Sequence, residues 1–192
     1  GRPLTLDLYR TGGIRVIDLL IRDADQVVTV PGQAGKPKVG PQMGEVGVIP
    51  GGPVAIQGER IIAVGPTAEV MAGVDMSPAC RVIDARGCTV VPGFVDPHTH
   101  LIYAGSREDE FALRLRGATY REIMEQGGGI MSTVRATRAA SYDALYTAGR
   151  QRLDQILELG TTTVEVKSGY GLNTEAELKM LRAIRRAARS SP

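Results

Sequence analysis

The amino-acid sequence changes character at Val90, and that change limits the folds open to the chain. Before it, apolar residues come in short β-rich runs broken by Gly, Pro or Asp. Residues 16–21 and 27–30 read as two such strands. In residues 31–53, 12 of 23 positions are Gly or Pro, which predicts an irregular excursion. Residues 54–56 and 60–64 flank Gln57-Gly58-Glu59, a hairpin signal in which Gly58 can take positive φ. Residues 82–83 and 88–91 add two short strands around a turn at 84–87. The expectation for residues 1–90 is a small antiparallel β-domain.

After Val90 the period lengthens. The apolar run VVPGFVD leads into His98-Thr99-His100, as in a parallel strand buried on both faces. Thr119 with Glu122 makes a capping box, and Gly127 stops that helix. Ser141 caps the next helix, with Leu145, Ala148, Leu153, Ile156 and Leu157 as its buried stripe and Gly160 at its end. Residues 161–166 read as a β-branched strand. Thr174 and Glu177 suggest a second capping box, opening a helix with Leu178, Leu181, Ile184 and Ala188 on one face. Strand, helix, strand, helix is the rhythm of a parallel α/β fold, expected over residues 91–192. A closed (β/α)8 barrel takes about 250 residues, so about two βα units of one fit here.

Composition narrows the function. Against 23 Lys and Arg stand 21 Asp and Glu, and a net charge of +2 supplies no field for nucleic acid or a membrane surface. Aromatic residues are 4% with no Trp, which disfavours a base-stacking surface. No apolar run reaches the roughly 18 residues of a membrane span, and GRPLTLDLYR has no apolar core of a secretory signal. Cys80 and Cys88 fit neither a CxxC pair nor a disulfide framework, so reduced, half-buried thiols in the cytoplasm are expected.

The two histidines of the chain are His98 and His100. Two apart on a strand, they point to one face and can share a metal ion, although two ligands do not complete a catalytic site. Ordinary strand-end hydrogen bonding is the alternative, and Asp96 is placed to anchor an imidazole from behind. Arg107 offers a bidentate fork for a carboxylate, or a surface pair with Glu108, Asp109 or Glu110. Gly127–Gly129 reads as an anion-binding nest or a plain helix stop with a flexible loop. Tyr170, between Gly169 and Gly171, follows the second strand and so projects from the same rim. Lys167 and Glu165 alternate on that strand and read as a structural pair. The arginines of AIRRAARSSP read as a solvated helix face.

Longer stretches carry a resemblance. DARGCTVVPGFVDPHTH resembles the entry to the first barrel strand of the amidohydrolase superfamily, and AIQGERIIAVGP the small β-sandwich beside that barrel. HTHLIYAGSREDEFALRLRGATYREIMEQGGGIMSTVRATRAAS and TTVEVKSGYGLNTEAELKMLR are similar to the imidazolonepropionase family. The resemblance implies a metal-dependent hydrolase of histidine degradation that opens 4-imidazolone-5-propanoate to N-formimino-L-glutamate, with one Zn²⁺ or Fe ion activating water. It matches His98 and His100 to metal ligands, and Arg107, Tyr120 and Tyr170 to substrate-binding positions. It implies a small-molecule substrate, a homodimer, and no nucleic-acid or membrane partner. The family's later ligands and general base have no counterpart here, since no histidine follows His100. The sequence therefore reads as the N-terminal half of such an enzyme, inactive alone. Two alternatives are another cyclic amidohydrolase or deaminase, and a non-catalytic fragment that folds or assembles with a partner chain.

Overall fold

A computed structural model describes residues 13–32 and 35–190. The chain divides into two compact units, after Pro92. Among the described residues no helix is long and apolar enough to cross a membrane.

The first unit holds β1 (Arg15–Arg22), β2 (Gln26–Val28), β3 (Val48–Pro50), β4 (Val54–Gln57), β5 (Arg60–Val64), α1 (Thr67–Ala72), β6 (Val74–Asp84) and β7 (Thr89–Val90). They form a four-stranded sheet, β5-β4-β1-β6, and a three-stranded sheet, β3-β2-β7. Both sheets are mixed rather than antiparallel: β1 runs parallel to β6, and β2 to β7. The hairpin β4–β5 and helix α1 lie between β1 and β6 in the chain, long enough a connection for a parallel return. Gly58 takes its positive φ of 56° in the hairpin, as expected.

The Gly- and Pro-rich excursion is more regular than its composition suggests. A 3-10 turn spans Gly40–Gly44, and β3 pairs antiparallel with β2 in the register Val27 to Ile49. Gly47 has φ 61°, and a Cβ there would come within 2.4 Å of the Pro31 ring, so this position needs glycine. Gln33 and Ala34, within the same excursion, lie outside the described residues. Cys80 is partly buried as expected, whereas Cys88 is exposed; both are free thiols. The core comprises a cluster around Ile17, Leu20, Ala55 and Val70, and a second around Val27 and Val54. Side chains from both sheets enter the second cluster, among them Ile49 of β3 and Ile56 of β4.

The second unit runs β8 (Phe94–Thr99), α2 (Glu108–Leu115), α3 (Tyr120–Glu125), α4 (Ile130–Ala139), α5 (Tyr142–Glu158), β9 (Thr161–Val166) and α6 (Thr174–Ser190). Strand β8 pairs parallel with β9, with register shifts on either side of Val95–Asp96. Burial on both faces, expected for β8, is not what the structure shows: Phe94 is 57% exposed and Val95 66%. The strand has one neighbour, so its far edge and one face meet solvent. Pro97 also lacks the N–H a central strand needs.

Local chemistry fixes the helix starts. The α3 capping box is present, with the Thr119 side chain accepting from the Glu122 N–H and Glu122 reaching back to the Thr119 N–H. Ser141 Oγ accepts from the Ala144 N–H at 3.1 Å and caps α5. At α6 the cap is Asn173 rather than Thr174: its Oδ1 accepts from the Ala176 N–H at 2.8 Å. Glu177 is thereby free to receive N–H groups of the preceding loop. The buried face of α6 is Ala176, Met180, Ala183 and Ala187, with Ile184 half-buried, while Leu178 and Leu181 are exposed. Small residues let α6 approach α5 closely; Ile102, Leu145, Met180 and Ala183 form the core between them. On α5, Leu145 is fully buried as expected, but Leu157 is 43% exposed. Helices α2 and α4 have no counterpart in the sequence reading.

Candidate active site

Because β8 and β9 are parallel, both end at the same side of the unit, and the chain brings its chemistry there. His98 lies near the end of β8 and His100 one residue past it. Their ring centroids are 5.4 Å apart. Thr99 locks this end to β9 by donating from Oγ1 to the Glu165 carbonyl and accepting from the Lys167 N–H. Asp96 anchors the backbone rather than a ring, since its Oδ1 accepts from the His98 N–H at 3.1 Å. The Nδ1 atom of His100 is buried and has no hydrogen-bond partner. A buried imidazole nitrogen left unpaired costs free energy, and a metal ion or ligand proton would satisfy it. Among the described residues no three His, Cys, Asp or Glu side chains cluster closely enough to hold a metal. The pair would give a metal two imidazole ligands and, among the described residues, no third of these types.

Tyr170 sits in the loop after β9, its ring 5.1 Å from that of His100. Tyr103 packs against Tyr170 at 5.6 Å, and the Arg152 guanidinium lies 3.7 Å over the Tyr103 ring. Arg152 also donates to the carbonyls of Leu101 and Tyr103, tying α5 to the segment that follows His100. Gly169 has φ 136°, and a Cβ there would touch the His100 ring at 3.4 Å.

Arg107, at the start of α2, makes the pair with Glu110 that was one of its two sequence readings. Its Nε donates to Oε2 at 2.9 Å and its Nη2 lies 2.8 Å from the same oxygen. The other oxygen of Glu110 accepts from the Gly129 N–H at 2.8 Å. The triglycine segment therefore does receive an anion, and it is a carboxylate of this chain. The Arg107 guanidinium, helped by Gly129, holds the Glu110 carboxyl below its usual range despite burial. In return Glu110 raises the Arg107 pKa. Tyr120 itself packs on Gly129: a Cβ at 129 would lie 3.5 Å from its hydroxyl. Thus His98, His100 and Tyr170 form one chain of ring contacts, and Glu110 joins Arg107 to Gly129, on which Tyr120 packs.

Residues that hold this arrangement went unrecognised in the sequence. Arg138 donates to the carbonyls of Gly171 and Leu172 at 2.6 and 3.1 Å. Glu177 accepts from the N–H groups of the same two residues at 2.7 and 2.8 Å. Burial pushes the Glu177 carboxyl up, and the loop's N–H groups outweigh it and hold it low. Arg138 lies within STVRATR and Glu177 within TTVEVKSGYGLNTEAELKMLR, so the motifs carried a signal; Tyr103 and Arg152 carried none. Lys167 pairs with Glu165, as the alternation on β9 indicates, and holds its carboxyl low.

Residues 81–129 match the model of an amidohydrolase family. An imidazolonepropionase of Symbiobacterium thermophilum is 59% identical over 93% of the chain and 41% of its own length. One from Alkaliphilus metalliredigens is 50% identical over 92% and 42%. Among solved structures, a triazine hydrolase from Arthobacter aurescens superposes with a TM-score of 0.56 at 22% identity, over 89% of this chain and 33% of its own, which is a likeness of fold. Over nine-tenths of its length, then, the chain is a homologue of the imidazolonepropionases, and it spans about two-fifths of the length of those relatives.

Proposed function

We propose that this surface is the substrate-binding part of an imidazolonepropionase site. The reaction is addition of water to the cyclic amide of 4-imidazolone-5-propanoate, opening the ring to N-formimino-L-glutamate, in the cytoplasm. One observation carries the reading: His98, His100 and Tyr170 come together at the shared end of β8 and β9, with a buried imidazole nitrogen of His100 left unpaired among them.

His98 and His100 are the residues that would hold one Zn²⁺ or Fe ion. When bound, such an ion polarises the scissile carbonyl and lowers the pKa of water. The remaining work falls to side chains. Arg107 spends Nε and Nη2 on Glu110 and keeps Nη1 for the propanoate carboxylate of the substrate. The Tyr120 and Tyr170 hydroxyls donate to the same ligand, and Tyr170, in tilted contact with both His100 and Tyr103, holds the ring beside the imidazoles. In architecture, the reading is a β-sandwich in the first unit and the opening βα units of an amidohydrolase barrel in the second. No general base is assigned among these residues, and the reading concerns binding.

The test is calorimetric titration of the chain with Zn²⁺ and with imidazole-4-propanoate, a carboxylate-bearing ring that is not hydrolysed. Replacing both histidines by Ala is expected to abolish zinc uptake, and Arg107→Gln to weaken the propanoate by about tenfold or more. Zinc uptake unchanged in the histidine variant, or propanoate affinity unchanged in Arg107→Gln, overturns the corresponding assignment.

A further inference from the structure

The triglycine segment and Glu110 have so far no role in binding, yet they touch both groups proposed to grip the carboxylate. Glu110 faces Arg107 through one oxygen and the Gly129 N–H through the other. Gly129 is in turn the floor under Tyr120, 3.5 Å from the hydroxyl at its absent Cβ. The side chain of Glu110 is 14% exposed, so it is a sheltered bridge rather than a loose surface acid. Glycine is required along the whole contact. At Gly128 a Cβ would come within 2.6 Å of the Ile123 side chain, 2.8 Å of the Ile123 carbonyl and 3.1 Å of Glu110 Oε1. Gly129 has φ 71°, a conformation L side chains rarely adopt.

We infer that Glu110 is a positioning residue, a strut that sets the distance between Arg107 and Tyr120 and so the width of the carboxylate grip. The inference rests on the reading of Arg107 and Tyr120 as substrate-binding residues. Glu110 does not touch the ligand in this scheme. It turns the guanidinium so that Nη1 faces outward, and through Gly129 it fixes the start of α4 beneath the phenol. The strut needs a carboxylate of this length. Gln at 110 has one acceptor oxygen and must put its NH₂ group against either Arg107 or the Gly129 N–H. Asp is one methylene short of spanning both.

The experiment uses the full chain and the variants Glu110→Gln and Glu110→Asp, each with its tyrosines replaced by 3-fluorotyrosine. Two readouts need no ligand: the fluorine resonance of Tyr120, assigned with Tyr120→Phe, and the solvent exchange of the Arg107 Nε–H. If Glu110 is the strut, both variants shift or broaden the Tyr120 resonance, leave that of Tyr142 in place, and speed Arg107 exchange by about tenfold. Imidazole-4-propanoate then binds about tenfold more weakly while the neutral 4-propylimidazole is unaffected. An unmoved Tyr120 resonance with unchanged Arg107 exchange overturns the inference, as does propanoate binding equal to that of the parent chain. If the parent chain binds neither probe but Tyr120 still responds to both variants, the strut stands and the carboxylate-substrate reading falls.

Discussion

The two units use β-strands in opposite ways. In the first, β1 is paired on both sides, and its inward residues are sealed: Ile17 is 0% exposed and Leu20 3%. In the second, β8 has a single partner and leaves Phe94 and Val95 largely in solvent. Its core lies instead between helices, around Leu145 and Met180. The first unit thus spends its strands on stability, and the second spends them on presenting the ends of β8 and β9. The strand that leads to His98 and His100 pairs with β9 from Phe94 to Thr99, and Thr99 adds a side-chain bond to the Glu165 carbonyl at its tip.

This contrast can be broken by truncation. Ile17→Ala in the first unit is expected to cost about 3 kcal/mol, because a sealed side chain leaves a cavity, whereas Val95→Ala in β8 costs less than about 0.5 kcal/mol. Denaturant unfolding of both variants measures the difference, and equal costs would mean that β8 is covered in solution. Next in size is Gly128→Ala. Its Cβ meets the backbone carbonyl of Ile123 at 2.8 Å, which cannot move away as a side-chain tip can, and a loss of about 2 kcal/mol follows. Gly58→Ala, with open space at its Cβ but φ 56°, serves as the first unit's comparison and costs about 1 kcal/mol.

A smaller effect is expected from Arg138→Ala. It removes two donors from the loop of Tyr170 and costs about 1 kcal/mol. Hydrogen exchange should quicken at residues 169–173 and stay unchanged in β1. The smallest effect concerns acid. The Glu110 carboxyl is held below its ordinary value in the folded chain, so its contribution is complete above the unfolded value of about 4.3. It is lost as pH falls through the lower, folded value. Glu110→Gln should therefore show a shallower loss of stability on acidification than the parent chain, measured by thermal unfolding between pH 6 and pH 3, a range of about three units.

Much of this was legible in the residues. The β-hairpin around Gly58, the capping box of α3, the Ser141 cap and the limits of β9 follow from local rules, since each is settled by neighbours within a few positions. The Lys167 and Glu165 pair followed from strand alternation in the same way. Errors came where partners are distant or local choices are close. The antiparallel reading of the first unit missed β1 with β6, a pairing across most of that unit, and α6 was capped one residue earlier than expected because Asn173 competes with Thr174 for the same N–H groups. The apolar run in β8 indicated burial, but burial depends on what lies alongside, and one neighbouring strand does not supply it.

By itself the sequence determined the strand and helix alternation after Val90 except for α2 and α4, the placing of both histidines at one strand end, and the residues worth examining around them. Periodicity, capping and turn chemistry are short-range, so they can be read along the chain. Only the tertiary structure decided that Arg107 is shared with Glu110, that Gly129 supports Tyr120, and that Arg138 and Glu177 clamp the loop of Tyr170 from two helices. Two of them, Glu110 with Gly129 and Arg138 with Gly171, join residues 19 and 33 positions apart, and their energy depends on distances and desolvation that exist only once the helices have packed.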